Sequence, residues 1–246
     1  MTFPDLLIIA GALSGGFVSG LTGFGTGITA LAFWLYAVPP VAAAPLVAIC
    51  AIVAQLQTLP AIWRSINWRR IRPFVIGGIP GVPVGLVLLP LVSVSEFKVA
   101  IGVLLLIYCS AMLFLPADSS QDAPYRPESP IADCLIGLGG GILGGLAALS
   151  GPLPTIWARF KGWNKAEQRG VFQAFNLTIL TIVAVAQSFA GLMTVEVGRL
   201  ALLALPGTIL GAWLGRRAYE RLATPSFNKA VLALLFLSGF GLVLSA

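Results

Sequence analysis

The chain contains no histidine, and its 246 residues carry nine acidic side chains against fifteen basic ones. Without imidazole, His-ligated metal sites, haem held through histidine and Ser-His triads are all excluded. Charged residues make up only 10% of the sequence, whereas a soluble domain carries about 25%. The three cysteines, Cys50, Cys109 and Cys134, are odd in number and form no CxxC pair, so neither a disulfide framework nor a zinc site is suggested. A GxxxxGK[ST] phosphate loop is missing as well, which argues against primary pumping by this chain. Asp5, Glu96, Asp133, Glu167 and Glu196 all stand near the ends of apolar runs. A deep carboxylate relay, the usual mark of a proton pump, is therefore not visible. No cofactor is implied.

What is present in excess is hydrophobicity: 58% of residues are apolar and the mean hydropathy is +0.95. The apolar runs are continuous rather than alternating, which disfavours a barrel. Helices remain as the way to satisfy every backbone group in lipid. The expected fold class is an all-α polytopic membrane protein, with the bilayer as its main partner. The net charge of +6 comes largely from arginines in short connections; no basic stripe on a polar domain points to nucleic acid. The N-terminal MTFPDLLIIAGALSGG lacks a basic n-region, so the first apolar segment is expected to be retained.

Charge-free stretches run over 6–63, 73–95, 99–117, 134–158, 170–195, 200–215 and 230–246. A span needs about 20 residues, so the first stretch divides near Pro39-Pro40 and eight hydrophobic segments result. Two of them are rich in glycine: GGFVSGLTGFGTGI from Gly15 and GGILGGLAALSGPL from Gly140. Glycine costs about 1 kcal/mol against alanine inside a helix, and Pro152 and Pro154 would interrupt a helical ladder. Both segments are expected to be pairs of half-helices joined by irregular backbone, although close helix packing would also use such glycines.

An internal repeat links them. A shift of 125 aligns Gly15, Gly16, Gly20 and Leu21 with Gly140, Gly141, Gly145 and Leu146. A shift of 126 aligns Pro80, Gly81 and Gly85 with Pro206, Gly207 and Gly211. The expected organisation is a first repeat over 1–117, a polar linker over 118–130 and a second repeat over 131–246, with four hydrophobic segments in each repeat. Basic clusters occur at Arg64–Arg72, Arg159–Arg169 and Arg216–Lys229, and the positive-inside rule wants all three in the cytoplasm. That parity works only if each broken segment is a re-entrant hairpin. Each half then crosses three times, the repeats are inverted, and both termini face outward. Inverted repeats with discontinuous helices are common among secondary transporters.

Polar residues inside the segments are the candidate site. Arg169, Gln173 and Asn176 recur at consecutive helical turns, with Gln187 further along that face. Gln55 and Thr58 share a face with Ala48 and Ala51, and plain helix packing also explains them. The breaks themselves offer backbone N–H groups at half-helix starts, suited to an anion. Thr22, Gly23, Phe24, Gly25 and Thr26 are the candidates in the first half. Ala147 through Gly151, including Ser150 and Gly151, are their counterparts. Carbonyls turned inward would suit sodium instead, so the residues alone leave the sign open.

The duplicated openings, the GIPGVPVG and ALPGTILG segments and the FK and FNK entries to each closing segment together resemble the sulfite exporter TauE/SafE family. The likeness covers nearly the whole chain. It departs where Ser150-Gly151-Pro152-Leu153-Pro154 stands against Gly25-Thr26-Gly27-Ile28-Thr29. The resemblance implies a bacterial-type inner-membrane permease for sulfite, a sulfonate or another small organic anion, not an enzyme. A proton or sodium ion is the expected coupling ion, and the oligomeric state is open. A structural subunit of a larger complex and a membrane-embedded enzyme are the other readings. The missing histidines and the lack of paired buried carboxylates weigh against the second of these.

Overall fold

A computed structural model describes residues 3–63, 66–114, 129–163, 165–222 and 225–245. Among them every regular element is a helix: α1 (Phe3–Thr22), α2 (Thr26–Trp34), α3 (Pro40–Ile62), α4 (Trp68–Leu88), α5 (Val94–Phe114), α6 (Pro130–Ala147), α7 (Pro152–Phe160), α8 (Lys165–Phe189), α9 (Val195–Leu222) and α10 (Pro225–Leu244), with one 3-10 turn at Leu89–Leu91. Eight segments thus become ten helices, because each glycine-rich segment divides in two. Seven helices have the length and hydropathy of a membrane span. The chain is a multi-pass membrane protein. The expected linker lies outside the described residues as far as residue 128. Several helices overrun the charge-free stretches: α4 takes in Arg69, Arg70 and Arg72, and α8 begins at Lys165.

The broken segments are unequal hairpins rather than two matched half-helices. α1 and α6 have 20 and 18 residues, long enough to span. Only α2 and α7, with nine residues each, are half length, about 13 Å. A tryptophan ties each hairpin back on itself. Trp34 Nε1 donates to the carbonyl of Ile8 at 3.0 Å, and Trp157 Nε1 donates to Asp133 Oδ1 at 2.6 Å. The chain therefore leaves each hairpin at the end where it entered.

Contacts at the two ends agree with that path. The Tyr36 hydroxyl donates to Ser245 Oγ at 2.9 Å, and Lys98 Nζ stands 4.8 Å from the Tyr36 ring centre. At the other end Arg70 pairs with Glu167 at 3.1 Å and covers the Trp163 ring. The tip of α1 reaches the same end, where Gly20 packs on the Arg216 backbone and Gly23 on the Arg169 side chain. Arg70, Arg169 and Arg216, one from each basic cluster, thus share one end of the bundle. Arg64 and the side chains of Arg159, Lys165, Arg221 and Lys229 lie outside the described residues.

The principal packings exchange when the first five helices are swapped for the last five. α4 lies on α6 as α9 lies on α1, α3 on α9 as α8 on α4, while α5–α10 and α3–α8 map onto themselves. Most of the repeated glycines build these seams. A Cβ on Gly81 or Gly85 would come within 2.4 Å of the α6 backbone, and one on Gly16 or Gly20 within 2.4 Å of the α9 backbone. Their reason is close approach, as in small-residue seams of membrane helices, and not breakage. The large buried side chains Trp34, Phe74, Phe97 and Phe175 fill the core.

Candidate functional site

The breaks themselves come from few residues. In the first, Gly23 and Gly25 hold φ of +88° and +102°, a region that only glycine enters without strain. Thr22 closes that turn. Its Oγ1 lies 2.9 Å from the Val18 carbonyl and 2.5 Å from that of Phe24, so its hydroxyl serves the backbone of the turn. In the second break Ala148, offset by 125 from Gly23, holds φ of +55°. That left-handed alanine costs about 1–2 kcal/mol. Ala148 N donates to Gly144 O and Leu149 N to Leu143 O, a Schellman-type end that satisfies the last carbonyls of α6. The ladder is interrupted just ahead of Pro152 and Pro154, as the sequence suggested, and the prolines stand on the far side of the break. They open α7, where the missing N–H groups had no helical partner anyway.

The two breaks meet. A cavity of about 10 Å³, the room of one water, is lined by Phe24, Gly25, Thr26, Gly27 and Ile28 of the first break and by Ala148, Leu149, Gly151 and Pro152 of the second, with Ala51 of α3 and Asn176 and Leu180 of α8. Four pairs in this lining are separated by 125: Phe24 and Leu149, Thr26 and Gly151, Gly27 and Pro152, Ala51 and Asn176. The breaks also interlock. The Phe24 ring packs on Gly151, and Leu149 packs on Gly27. Phe24 is held edge-to-face by Phe172 and Tyr108, with ring centres 5.2 and 5.6 Å away.

Polar chemistry at the cavity is neutral. Ser150, fully buried, donates its hydroxyl to Asn176 Oδ1, which leaves the Asn176 Nδ2 group as the amide's donor. Thr26 is 1% exposed and its Oγ1 has no hydrogen-bond partner. Among the described residues no charged side chain belongs to the lining. The starts of α2 and α7, with their partial positive charge, frame it.

Of the predicted site residues, Phe24, Gly25, Thr26, Gly151 and Asn176 line this cavity and Ser150 orients Asn176. The others gather at the basic end of the bundle. Gln173 Nε2 donates to Thr58 Oγ1, which donates to the Gln55 carbonyl. A Cβ on Gly23 would stand 3.1 Å from Gln173 Oε1 and 3.2 Å from Arg169 Nε. Gln55 is buried, and its side-chain amide has no partner. Sequence reasoning named Leu149 within the 147–151 counterpart run but missed Leu180 and the Trp157–Asp133 tie. The shift of 125 already paired Leu149 with Phe24, but nothing in the sequence marked Asp133 as buried.

The family model described as Sulfite exporter TauE/SafE matches residues 7–242. No match was found among curated proteins or among solved structures.

Proposed function

The chain belongs to the sulfite exporter TauE/SafE family, a family of membrane transporters, and from that premise we propose that it is a secondary transporter of a small anion. Sulfite, a sulfonate or a related organic anion is the substrate, carried across a bacterial inner membrane. The observation that carries this reading is the convergence of two half-helix starts on one buried cavity whose other polar groups are neutral donors. Helix starts present unsatisfied N–H groups and favour negative charge. In transporters built from inverted repeats, such starts near the midplane hold anionic groups.

The two halves, 1–117 and 131–246, act here as inverted repeats that rock about this cavity. The exchange of helix packings between halves supports that mechanism, as does the pairing of lining residues at one constant shift. Because the cavity has the room of one water, an anion is admitted only when the interlocked breaks part. Phe24 on Gly151 and Leu149 on Gly27 are the contacts that must separate. The polar cluster of Arg169, Gln173, Thr58 and Gln55 forms the approach from the cytoplasm. Arg169 draws the anion in, and neutral amides pass it on without trapping it on a fixed buried charge.

Uptake of labelled sulfite and labelled methanesulfonate into proteoliposomes containing the purified protein tests the reading. Saturable uptake of either, competed by the unlabelled anion, is expected. Uptake no faster than in protein-free vesicles for both contradicts it.

A further inference from the structure

We propose that the cavity at the two breaks selects a singly charged oxyanion over a doubly charged one, and holds it chiefly through the start of α2. The inference rests on the anion-transport reading of the same cavity and adds the charge of the substrate to it.

The two helix starts are alike in geometry and unlike in donors. The first helical bond of α2 runs from Thr29 N to Gly25 O, and that of α7 from Thr155 N to Gly151 O, each at 3.1 Å. Ahead of that bond α2 has Thr26, Gly27 and Ile28, three N–H groups with no helical acceptor. α7 has Pro152, Leu153 and Pro154, where only Leu153 has an N–H at all. Thr26 adds a buried hydroxyl without a partner at the same place. On the α7 side the Asn176 amide, oriented by Ser150, supplies what the prolines remove. The second break is thus the firmer wall, and the first break is the donor.

Charge then limits the ligand. Each helix start is equivalent to roughly half a positive charge, so the pair offers about +1 at most. The C-terminal end of α6 adjoins the cavity through Ala148 and subtracts from that total. Among the described residues no cationic side chain belongs to the lining; Arg169 stands beside Gly23, outside it, and makes up no second unit within the cavity. One negative charge is matched. A second would be buried without a counter-charge, which proteins avoid strongly. Sulfite would accordingly pass as hydrogen sulfite, and the proton it carries would need no carboxylate relay in the protein.

Calorimetric titration of the purified full-length protein at fixed ionic strength, with methanesulfonate and with sulfate, decides the matter. Both are tetrahedral sulfur oxyanions, and they differ in charge. Methanesulfonate is expected to bind at least about tenfold more tightly, one interaction's worth of discrimination. Thr26→Val should weaken methanesulfonate about tenfold while Thr26→Ser, which keeps the hydroxyl, should not. Sulfate binding as tightly as methanesulfonate overturns the charge selection and leaves the anion site standing. Equal binding by Thr26→Val and the parent overturns the role of the α2 start. Binding of neither anion overturns the underlying reading and this inference together.

Discussion

The Phe24 ring closes so tightly on the backbone of Gly151 that a Cβ there would lie 2.8 Å from Phe24 Cδ2. Phe24 itself has little room to retreat, since Phe172 and Tyr108 meet it edge-on. Gly151→Val should therefore wedge the two breaks and reduce uptake at least tenfold, while the protein still inserts and elutes as a single species. Gly25→Val should act likewise, because a branched residue cannot hold φ of +102° without strain. Normal uptake by both variants would show that the breaks need not fit together.

Ser150 and Asn176 make a graded test of the donor site. Removing the hydroxyl in Ser150→Ala frees the amide to rotate and should weaken anion binding about tenfold, near the 1–1.5 kcal/mol of a buried hydrogen bond. Asn176→Asp replaces a donor with a carboxylate and should abolish binding, whereas Asn176→Ala should only weaken it. Calorimetry on the three variants gives the order. An Asn176→Asp protein that binds as well as Asn176→Ala would contradict an anion at this cavity.

The tie between Trp157 and Asp133 predicts a stability effect rather than a binding one. Asp133 is 6% exposed and takes the indole N–H at 2.6 Å. Asp133→Leu leaves the half-buried Trp157 donor unmet, at a cost toward the lower end of about 1–3 kcal/mol, and should lower Tm in detergent. Asp133→Asn keeps an acceptor and should stay near the parent. Matching Tm values for Asp133→Leu and the parent would mean the second hairpin does not depend on its clasp.

Topology is open to chemical labelling. In a background lacking Cys50, Cys109 and Cys134, single cysteines at Trp68 and Gly162 should resist an impermeant thiol reagent in intact cells, while one at Ser93 should react. Labelling at Gly162 from outside would place the basic end on the wrong face of the membrane.

Much of this fold was legible in the sequence because a bilayer permits few solutions. Continuous apolar runs gave the helices, and the parity of the basic clusters gave the hairpins. The 125-residue shift gave the pairing of the breaks. The glycines were harder to read. One residue type serves close approach at Gly16, Gly20, Gly81 and Gly85 and backbone reversal at Gly23 and Gly25, and the sequence does not say which. Ala148 shows the converse, a left-handed residue that is not glycine. In the site, Gln173 and Asn176 follow each other on α8 as their spacing suggested, yet Asn176 lines the cavity while Gln173 meets Thr58 and Gly23 at the basic end. The division of the polar residues between the cavity and the basic end depends on how α1, α3 and α8 cross. That crossing is a tertiary fact.

The central claim is transport of a small anion through the cavity at the breaks, and counterflow tests it most directly. Proteoliposomes preloaded with unlabelled sulfite are diluted into labelled sulfite, with the parent protein and Asn176→Asp compared at equal incorporation. Transient accumulation of label above equilibrium by the parent, lost in Asn176→Asp, is the predicted result. No overshoot by the parent, or an overshoot of the same size in Asn176→Asp, would contradict the account.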